Sequence, residues 1–460
     1  IVAETLAQSD EKAVIATLRR FKRRETLRIA YGDIIRAQDL QIVTEQISFL
    51  ADAIVEAALR AAVRKLETSR GKLRLADGRS ARFVVLALGK LGGSELNVSS
   101  DIDLIFLYDG DGTTDGRRKQ TSIEYFDALA RETIRLLTET NEHGTAYRVD
   151  MRLRPEGERG PLVPSLESAL HYYDVLGRTW ERQAMVKARP IAGDLDLGRE
   201  FLAQLEPWIY RRYLSRADIS GIRALKRRIE QRAEREGGDR LNVKTGHGGI
   251  RDIEFVIQFL QLLNGGELRD LRTGNTLVAL DRLEHAGCLN DRERTALEEN
   301  YRFLRKIEHR LQIMFDLQTH AMPADDEELR KLAVRMGFDA TAGESAREAF
   351  LAEYRRRTDV NRIILNHLLH LAFGDEGDVE AEVDLVLDPD PSRDFIHQTL
   401  AKYRFKSVDS AYDTLMSLAT ERIRFLSTRR CRHFLAAIAP RKAAMASSSL
   451  PCCMKVTPIE

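Results

Sequence analysis

Several features are scarce or missing in this 460-residue sequence, and each absence excludes a class of protein. Only 4 cysteines are present, which excludes a disulfide-held scaffold and favours a reducing, cytoplasmic compartment. No apolar run reaches the roughly 18 residues that a membrane-spanning helix needs. The 72 basic and 71 acidic residues nearly cancel, so overall charge gives no argument for nucleic acid. Only 11 prolines interrupt the chain, which favours a mostly helical protein.

What is present is enough apolar sequence, 43% of the residues, to bury several cores. The chain begins at Ile1 rather than at a methionine, and we expect it to be a piece of a longer protein. After residue 440 the amphipathic pattern stops and serines and two cysteines follow. We expect this tail to result from a truncation or a frameshift and assign it no function.

The period of the hydrophobic pattern changes along the chain and predicts an α+β, mostly helical fold. Helical periodicity covers about residues 25–67, and residues 121–139 predict a further helix. The apolar runs at 83–88 and 103–108 predict buried strands, and the alternating segment 146–154 predicts a third strand. From 203 to about 373 nearly all the sequence is helix-periodic, and a smaller helical segment covers 395–434.

These changes predict a small mixed sheet with helices, followed by a helical bundle. The predicted domains are an N-terminal helical segment (1–77), a catalytic domain (78–195), a helical bundle (196–373), the start of a helical linker or regulatory region (374–440) and the atypical tail (441–460).

The strongest functional signal is a glycine-rich turn, 89–94, followed by Asp101 and Asp103 at the start of a predicted strand. Alternate residues of a strand point to one face, so the two carboxylates are expected about 7 Å apart. Carboxylates at that range repel each other unless a cation lies between them, and hard oxygen ligands suit Mg²⁺ or Mn²⁺. The alternative is a solvated strand end.

Asp150 is a third acid, in a predicted strand with Arg148, Arg152 and Arg154 on the same face. One interpretation is an outer face in solvent. The other is a site floor on which Asp150 completes a two-metal centre while the arginines hold phosphate oxygens.

Two further segments combine glycine, charge and apolar residues. Residues 180–189 fit either a helix or a strand, and an ordinary charged helix end explains them equally well. Gly248 and Gly249 begin a strongly apolar helix that runs through residue 263, and Arg251, Glu254 and two glutamines form a polar stripe along it. That stripe faces either solvent or a cleft.

Five segments in this order resemble the bacterial glutamine synthetase adenylyltransferase family, the bifunctional adenylylating and deadenylylating enzymes. They are residues 89–106, 148–155, 160–163, 180–189 and 248–255. The resemblance covers roughly residues 20–440 and implies a nucleotidyltransferase-type sheet. Members are about twice this length and carry two nucleotidyltransferase domains. Asn97, Pro161, Arg182 and Arg251 resemble the N-terminal half, which removes AMP from a glutamine synthetase tyrosine by phosphorolysis.

The resemblance implies a set of site residues. Asp101, Asp103 and Asp150 would be the catalytic residues and the ligands of Mg²⁺ or Mn²⁺. Glu181 and Glu254 would lie around these ligands without binding the metal themselves. The residues expected to bind nucleotide or phosphate are Gly89, Lys90, Gly92, Gly93, Ser94, Ser100, Arg152, Arg154, Lys187 and Arg251.

The resemblance also implies partners: glutamine synthetase as protein substrate, adenine nucleotide and phosphate, and the PII signalling protein as activator. No nucleic acid or membrane partner is expected. Two alternatives stay open, namely AMP transfer from ATP onto glutamine synthetase and a catalytically silent regulatory module. Arg251 has an alternative of its own, an ion pair with Glu254 or with another acid on the bundle surface.

Overall fold

The computed structural model describes residues 1–211, 241–315, 319–339, 345–373, 385, 393–403, 405 and 407–420. The chain divides into two compact units, Ile1–Tyr213 with Arg232–Ala372 and Leu214–Gln231 with Phe373–Glu460. No helix among the described residues combines the length and apolar character needed to cross a bilayer.

The first unit is built from thirteen described α-helices and six described strands. The helices are α1 (Val2–Leu6), α2 (Glu11–Ile34), α3 (Leu40–Arg70), α4 (Gly89–Gly92), α5 (Ser122–Thr138), α6 (Leu166–Val175), α7 (Thr179–Met185), α8 (Leu195–Ile209), α9 (Ile250–Asn264), α10 (Thr276–His285), α11 (Asp291–Phe315), α12 (Asp326–Arg335) and α13 (Ala346–Phe373). The strands are β1 (Leu73–Leu75), β2 (Phe83–Ala87), β3 (Ile102–Tyr108), β4 (Gly112–Thr114), β5 (Val149–Asp150) and β6 (Arg189–Gly193).

A four-stranded mixed sheet in the order β5-β3-β2-β6 forms the centre of this unit. β2 pairs antiparallel with both β3 and β6, whereas β3 and β5 are parallel. Every residue of β2 is buried, because helices cover both faces of the sheet. The predicted α+β, mostly helical fold with a small mixed sheet is confirmed.

The second unit includes α14 (Arg393–Ala401) and α15 (Val408–Thr420) among the described residues. Leu385, Ile396 and Leu400 form its small apolar core. The predicted segment 395–434 therefore contains two helices, and its part beyond residue 420 lies outside the described residues. The first residues of the linker expected from residue 374 and the tail at 441–460 also lie outside them. The predicted domain boundaries stay a prediction.

The helical periodicity of segment 25–67 belongs to two helices, α2 and α3. Two other local expectations differ from the structure. Residues 89–92 of the predicted turn form the single helical turn α4. The strand predicted at 146–154 is only β5, because the Asp150 carboxylate accepts the backbone N–H of Arg152 at 2.9 Å and turns the chain away from the sheet.

Gly92 lets α4 pack directly on the backbone that leads into β6. A Cβ atom at this position would lie 2.0 Å from the carbonyl oxygen of Lys187 and 2.6 Å from that of Ala87. Neither oxygen is the end of a flexible side chain, so relief requires movement of the backbone. Gly92 is thus fixed by close packing.

We expect Gly92→Ala to lower the free energy of unfolding by about 1–3 kcal/mol, the usual cost of overpacking. Gly110→Ala is the matched control, since its added Cβ would meet only a Leu75 methyl at 3.6 Å. Urea unfolding of both variants measures the difference. Equal stability of the two variants would contradict this packing.

Candidate nucleotidyl-transfer site

The three predicted aspartates come together at one end of two neighbouring strands. The parallel register of β3 and β5 pairs Asp103 with Asp150, and Asp101 immediately precedes β3. The backbone N–H of Leu88 donates to the carbonyl oxygen of Asp103 at 2.9 Å. This bond places the glycine turn that follows β2 beside the acids.

Asp103 lies in surroundings that disfavour its charged form. Burial raises its pKa to about 6, and the charges of Asp150 and Asp101 add to this effect. Lys244 and Arg152 act in the opposite direction. A carboxyl group with a raised pKa among other carboxylates is a common sign of a functional site.

The other two acids are paired with arginines. Arg148 donates from Nε to a carboxylate oxygen of Asp101. Arg152 donates from Nε and Nη2 to the Asp150 carboxylate, with N–O distances of 2.9 and 2.5 Å to Oδ2, and thereby lowers the Asp150 pKa. Arg148 and Arg152 therefore neutralise two of the three acids.

This donor set fits a hard divalent cation in its chemistry. It consists of carboxylate oxygens, and burial together with the charges of Asp150 and Asp101 raises the pKa of Asp103. Within the described ranges, no three His, Cys, Asp or Glu side chains already converge closely enough to hold a metal ion. For Mg²⁺ or Mn²⁺ to bind, Asp101 and Asp150 would have to exchange their arginine partners for the ion.

The glycine turn approaches the acids closely at one residue. Gly89 has a φ of +56°, and a Cβ there would lie 2.6 Å from Oδ2 of Asp103. Both facts favour glycine at this position. Ser94, at the other end of the turn, also has a positive φ of 56°. The backbone of Gly89 thus lies directly against the Asp103 carboxylate, with no side chain between them.

Lys90 and Lys187, both expected to bind phosphate, point instead into a buried charge network. Lys90 Nζ lies 2.6 and 2.8 Å from the two carboxylate oxygens of Glu308 on α11. Burial lowers the Lys90 pKa to about 8 despite this partner. Lys187 Nζ donates to Glu95 and, at 3.2 Å, to Thr276 Oγ1.

The rest of this network joins the turn to the helices. Arg305 Nη2 donates to the backbone oxygen of Glu95 at 2.6 Å and to Asn97 Oδ1 at 2.5 Å. Arg305 Nε lies 3.2 Å from Glu308, and Nη1 donates to Tyr301 at 2.7 Å. We call Lys90, Glu95, Lys187, Glu254, Tyr301, Arg305 and Glu308 the buried charge network.

Glu254, expected behind the acids, belongs to this network. It accepts a hydrogen bond from Tyr301 at 3.1 Å and lies 3.5 Å from Lys187. Although burial raises its pKa, the neighbouring cations, with Lys187 first among them, lower it. Glu254 thus has its partners within the network, and it forms no ion pair with Arg251.

Arg251 and Lys244 lie together at the start of α9. The backbone N–H of Arg251 donates to the carbonyl oxygen of Lys244 at 3.0 Å, and α9 begins at the preceding residue. Throughout the described part of the chain, neither side chain forms an ion pair. The positive charge of Lys244 acts to lower the pKa of Asp103. It also lowers the pKa of His320, which lies beside Glu308. Two cations without an ion pair among the described residues thus stand at a helix N-terminus, and one of them, Lys244, acts on Asp103.

The remaining predicted residues have more ordinary places. Glu181 accepts hydrogen bonds from Tyr172 and the Arg178 backbone, both at 2.7 Å, and so caps the start of α7. Residues 179–185 form a helix and 189–193 a strand, so segment 180–189 contains both. Arg154 donates to the carbonyl of Met151 at 2.8 Å, while its buried Nε has no partner among the described residues.

Gly93 lies against the carbonyl oxygen of Gly274, 2.6 Å from where a Cβ would stand, and Ser100 follows Asn97 in a backbone turn. The roles of all these residues stay a prediction. Sequence reasoning missed Glu95, Lys244, Arg305 and Glu308. Glu95 and Lys244 stand inside or beside glycine-rich segments, which was an available signal. Arg305 and Glu308 occur in an ordinary charged helix, which gave none.

A small mixed sheet with acids on adjacent strands, beside a glycine turn, defines the nucleotidyltransferase type of domain. A family model described as glutamate-ammonia ligase adenylyltransferase matches residues 2–204, and one described as GlnD PII-uridylyltransferase matches residues 223–369. Residues 2–204 belong to the glutamate-ammonia ligase adenylyltransferase family, as the sequence motifs indicated.

Curated relatives carry the name bifunctional glutamine synthetase adenylyltransferase/adenylyl-removing enzyme. The protein of Hahella chejuensis is 42% identical over 329 residues, which cover 71% of this chain and 34% of the relative. That of Nitrosococcus oceani is 39% identical over 416 residues, 89% of this chain and 42% of the relative. The chain thus spans less than half the length of these relatives.

The raised pKa of Asp103 predicts a pH-dependent effect of Asp103→Asn in metal-free buffer. Folding disfavours the charged carboxylate, so wild-type stability falls as the pH rises from the unfolded pKa of 3.8 to the folded pKa of about 6. Asparagine carries no such charge. Relative to wild type, the variant should gain up to about 3 kcal/mol between pH 4 and pH 7.5.

Urea unfolding at the two pH values measures this gain. Asp150→Asn is the control with the opposite sign, because Arg152 lowers the Asp150 pKa and the charged form supports the fold. A stability difference between Asp103→Asn and wild type that stays constant with pH would refute the electrostatic assignment.

Proposed function

We propose that this chain removes AMP from an adenylylated tyrosine of glutamine synthetase by metal-dependent phosphorolysis. The carrying observation is the pairing of Asp103 with Asp150 across β3 and β5, next to Asp101 and Gly89. The family match and the names of the relatives support the substrate class. Regulation of nitrogen assimilation would follow, because the adenylylation state of glutamine synthetase would change.

The direction of the reaction rests on residues that resemble the deadenylylating half. Two of them are structural: Asn97 is buried between Arg305 and His309, and Arg182 lies over the Trp208 ring at 5.3 Å. Arg251 differs, since it is only half-buried and forms no ion pair among the described residues. Of these three, Arg251 is therefore our candidate for contact with a ligand.

In the proposed reaction a phosphate oxygen attacks the α-phosphorus of the adenylyl-tyrosine. The bond between phosphorus and the tyrosine oxygen breaks, ADP forms, and the tyrosine oxygen takes up the proton that phosphate loses. Asp101, Asp103 and Asp150 would hold Mg²⁺ or Mn²⁺, which neutralises charge on the transferred group when bound.

The cations of this chain would position the anionic nucleophile. Arg251 and Lys244 lie at the start of α9, where the helix dipole also favours an anion. Arg152 is largely exposed and would bind phosphate oxygens once it leaves Asp150. Positioning and charge neutralisation are the main contributions of protein in phosphoryl-type transfer.

The PII signalling protein is the proposed activator. Its support is the match of residues 223–369 to the model described as GlnD PII-uridylyltransferase together with the family resemblance. Adenine nucleotide and phosphate are the proposed small-molecule ligands.

We expect Arg251→Ala to raise the apparent KM for phosphate about 10- to 100-fold, as for a lost charge-assisted hydrogen bond of 1.5–3 kcal/mol. The KM for adenylylated protein should change far less. Arg269→Ala, an exposed arginine, removes the same charge elsewhere. Steady-state kinetics with phosphate varied decide the matter, and an unchanged phosphate KM would remove Arg251 from the site.

We expect wild type to release ADP from adenylylated glutamine synthetase, phosphate and Mg²⁺, and Asp103→Asn to lose at least about a thousandfold in rate. Asp111→Asn, an exposed acid, should keep full activity. Chromatography of the nucleotide products measures the outcome. Pyrophosphate from ATP and unmodified glutamine synthetase, without ADP release from the modified form, would instead establish the adenylylating direction.

A further inference from the structure

An unusual concentration of exposed apolar side chains lies on the α2–α3 hairpin. Of twelve large apolar residues exposed in the described part of the chain, six fall within residues 27–49. We call these six the hairpin patch: Leu27, Tyr31, Ile34, Ile35, Ile42 and Phe49. The other six are scattered over six different segments, where single exposed apolar residues need no explanation.

The patch occupies both helices of the hairpin, which pack against each other. Arg28 on α2 donates to Gln46 on α3 at 3.3 Å, which joins the two antiparallel helices. Leu27 and Tyr31 are one helical turn apart on α2, and Ile42 and Phe49 are two turns apart on α3. Each helix thus carries its own exposed apolar row, and a large exposed apolar surface marks an interaction site.

The same hairpin flanks the acidic site. Lys22 on α2 lies over the Tyr147 ring at 4.3 Å, and the next residue, Arg148, binds Asp101. Further along α2, Asp33 pairs with Arg310 on α11, and the same helix binds the loop before Asp101 through Gln312, which accepts from the Ser99 N–H at 3.1 Å. Helix α2, which carries Leu27, Tyr31 and Ile34 of the patch, thus contacts the elements that flank Asp101.

A protein substrate contacts more of the surface than the acids themselves. A typical protein partner covers about 800 Å² of surface, or roughly 30 Å across. A folded protein that presents a modified side chain to Asp101 and Asp103 therefore needs a docking surface on the elements around them, and α2 is one of these elements.

The charge around the patch defines the chemistry of that partner. Five arginines are exposed on or beside it: Arg20, Arg23, Arg24, Arg28 and Arg36. Glu25 pairs with Arg24 and Arg28, while Asp33 pairs with Arg310 and Asp39 with Arg302. Three of the five arginines, Arg20, Arg23 and Arg36, stand outside these ion pairs. The complementary surface is apolar at its centre and ringed by carboxylates. A second copy of this chain would face these arginines with its own in a two-fold contact, which disfavours self-association.

We propose that the hairpin patch is the docking surface for the protein substrate, through an apolar area of that substrate ringed by acidic residues. The proposal rests on the proposed function and adds the surface that selects a whole protein rather than a nucleotide ester. The patch does not touch the reacting groups, so it should affect recognition of the protein and leave the chemistry intact.

The test compares a protein substrate with a small one. Leu27→Asp/Phe49→Asp places one carboxylate in each row of the patch, and Ile363→Asp on α13 is the control at an equally exposed apolar residue. ADP release is measured from adenylylated glutamine synthetase and from the isolated O-adenylyl-tyrosine amino acid. We expect kcat/KM to fall at least tenfold for the protein and to stay within twofold for the small ester, with no change in the control.

Binding is measured in parallel by interferometry with immobilised adenylylated glutamine synthetase, so that the docking surface is tested even without turnover. A wild type that binds the protein but releases no ADP from either substrate would refute the proposed function, and lost binding in the double variant would still support docking. Unchanged binding, or equal loss for both substrates, would overturn the docking surface.

Two other occupants have their own signatures. A wild-type dimer in analytical ultracentrifugation that the double variant converts to monomer, with binding to glutamine synthetase unchanged, would assign the patch to self-association. Sedimentation of wild type alone with phosphatidylserine vesicles, again with that binding unchanged, would assign it to an anionic lipid surface. Either result would overturn the proposal.

Discussion

The buried charge network on α11 is the interaction on which the rest of the first unit depends. Glu308 is fully buried and is contacted by Lys90 from the glycine turn, by Arg305 and by His320 at 2.8 Å. Removing one member of a buried pair leaves an uncompensated charge, at a cost of about 3–5 kcal/mol. Each buried charge of the network is therefore stable only while its partners are present. The polar contacts between the glycine turn and α11 hold this helix to the sheet.

The network and the acidic site are neighbours with opposite electrostatic character. In the network, cations and anions alternate, so Glu254 is held ionised by Lys187 and Lys90. At the strand ends, three acids are grouped, and burial and the neighbouring acids raise the pKa of Asp103. Lys244 acts on both groups. A charge-balanced network beside three grouped acids would suit the proposed site. Its geometry would stay fixed while highly charged ligands bind and dissociate.

The sequence predicted the parts of this structure that depend on local pattern. Strands β2 and β3, helix α5 and the start of α9 follow from apolar periodicity and glycine position. It also grouped Asp101, Asp103 and Asp150, since a motif can be read along the chain. It could not show that Lys90 and Lys187 turn away from the acids, because their partners Glu308 and Glu95 lie 218 and 92 residues away along the chain. Nor could it show that Asp150 ends its strand by binding the next turn's backbone.

The position of α11 has a consequence for how such proteins can be divided. Within the first 200 residues the buried charge network contains Lys90, Glu95 and Lys187. The partners of Lys90 and Glu95 on α11 are Tyr301, Arg305 and Glu308. A fragment that contained the whole sheet but ended before residue 291 would lack α11. Lys90 and Glu95 would then lose their partners on that helix. The sheet is therefore not a module that recombination could pass intact to another protein, and the smallest inheritable unit includes the helix that closes its charges.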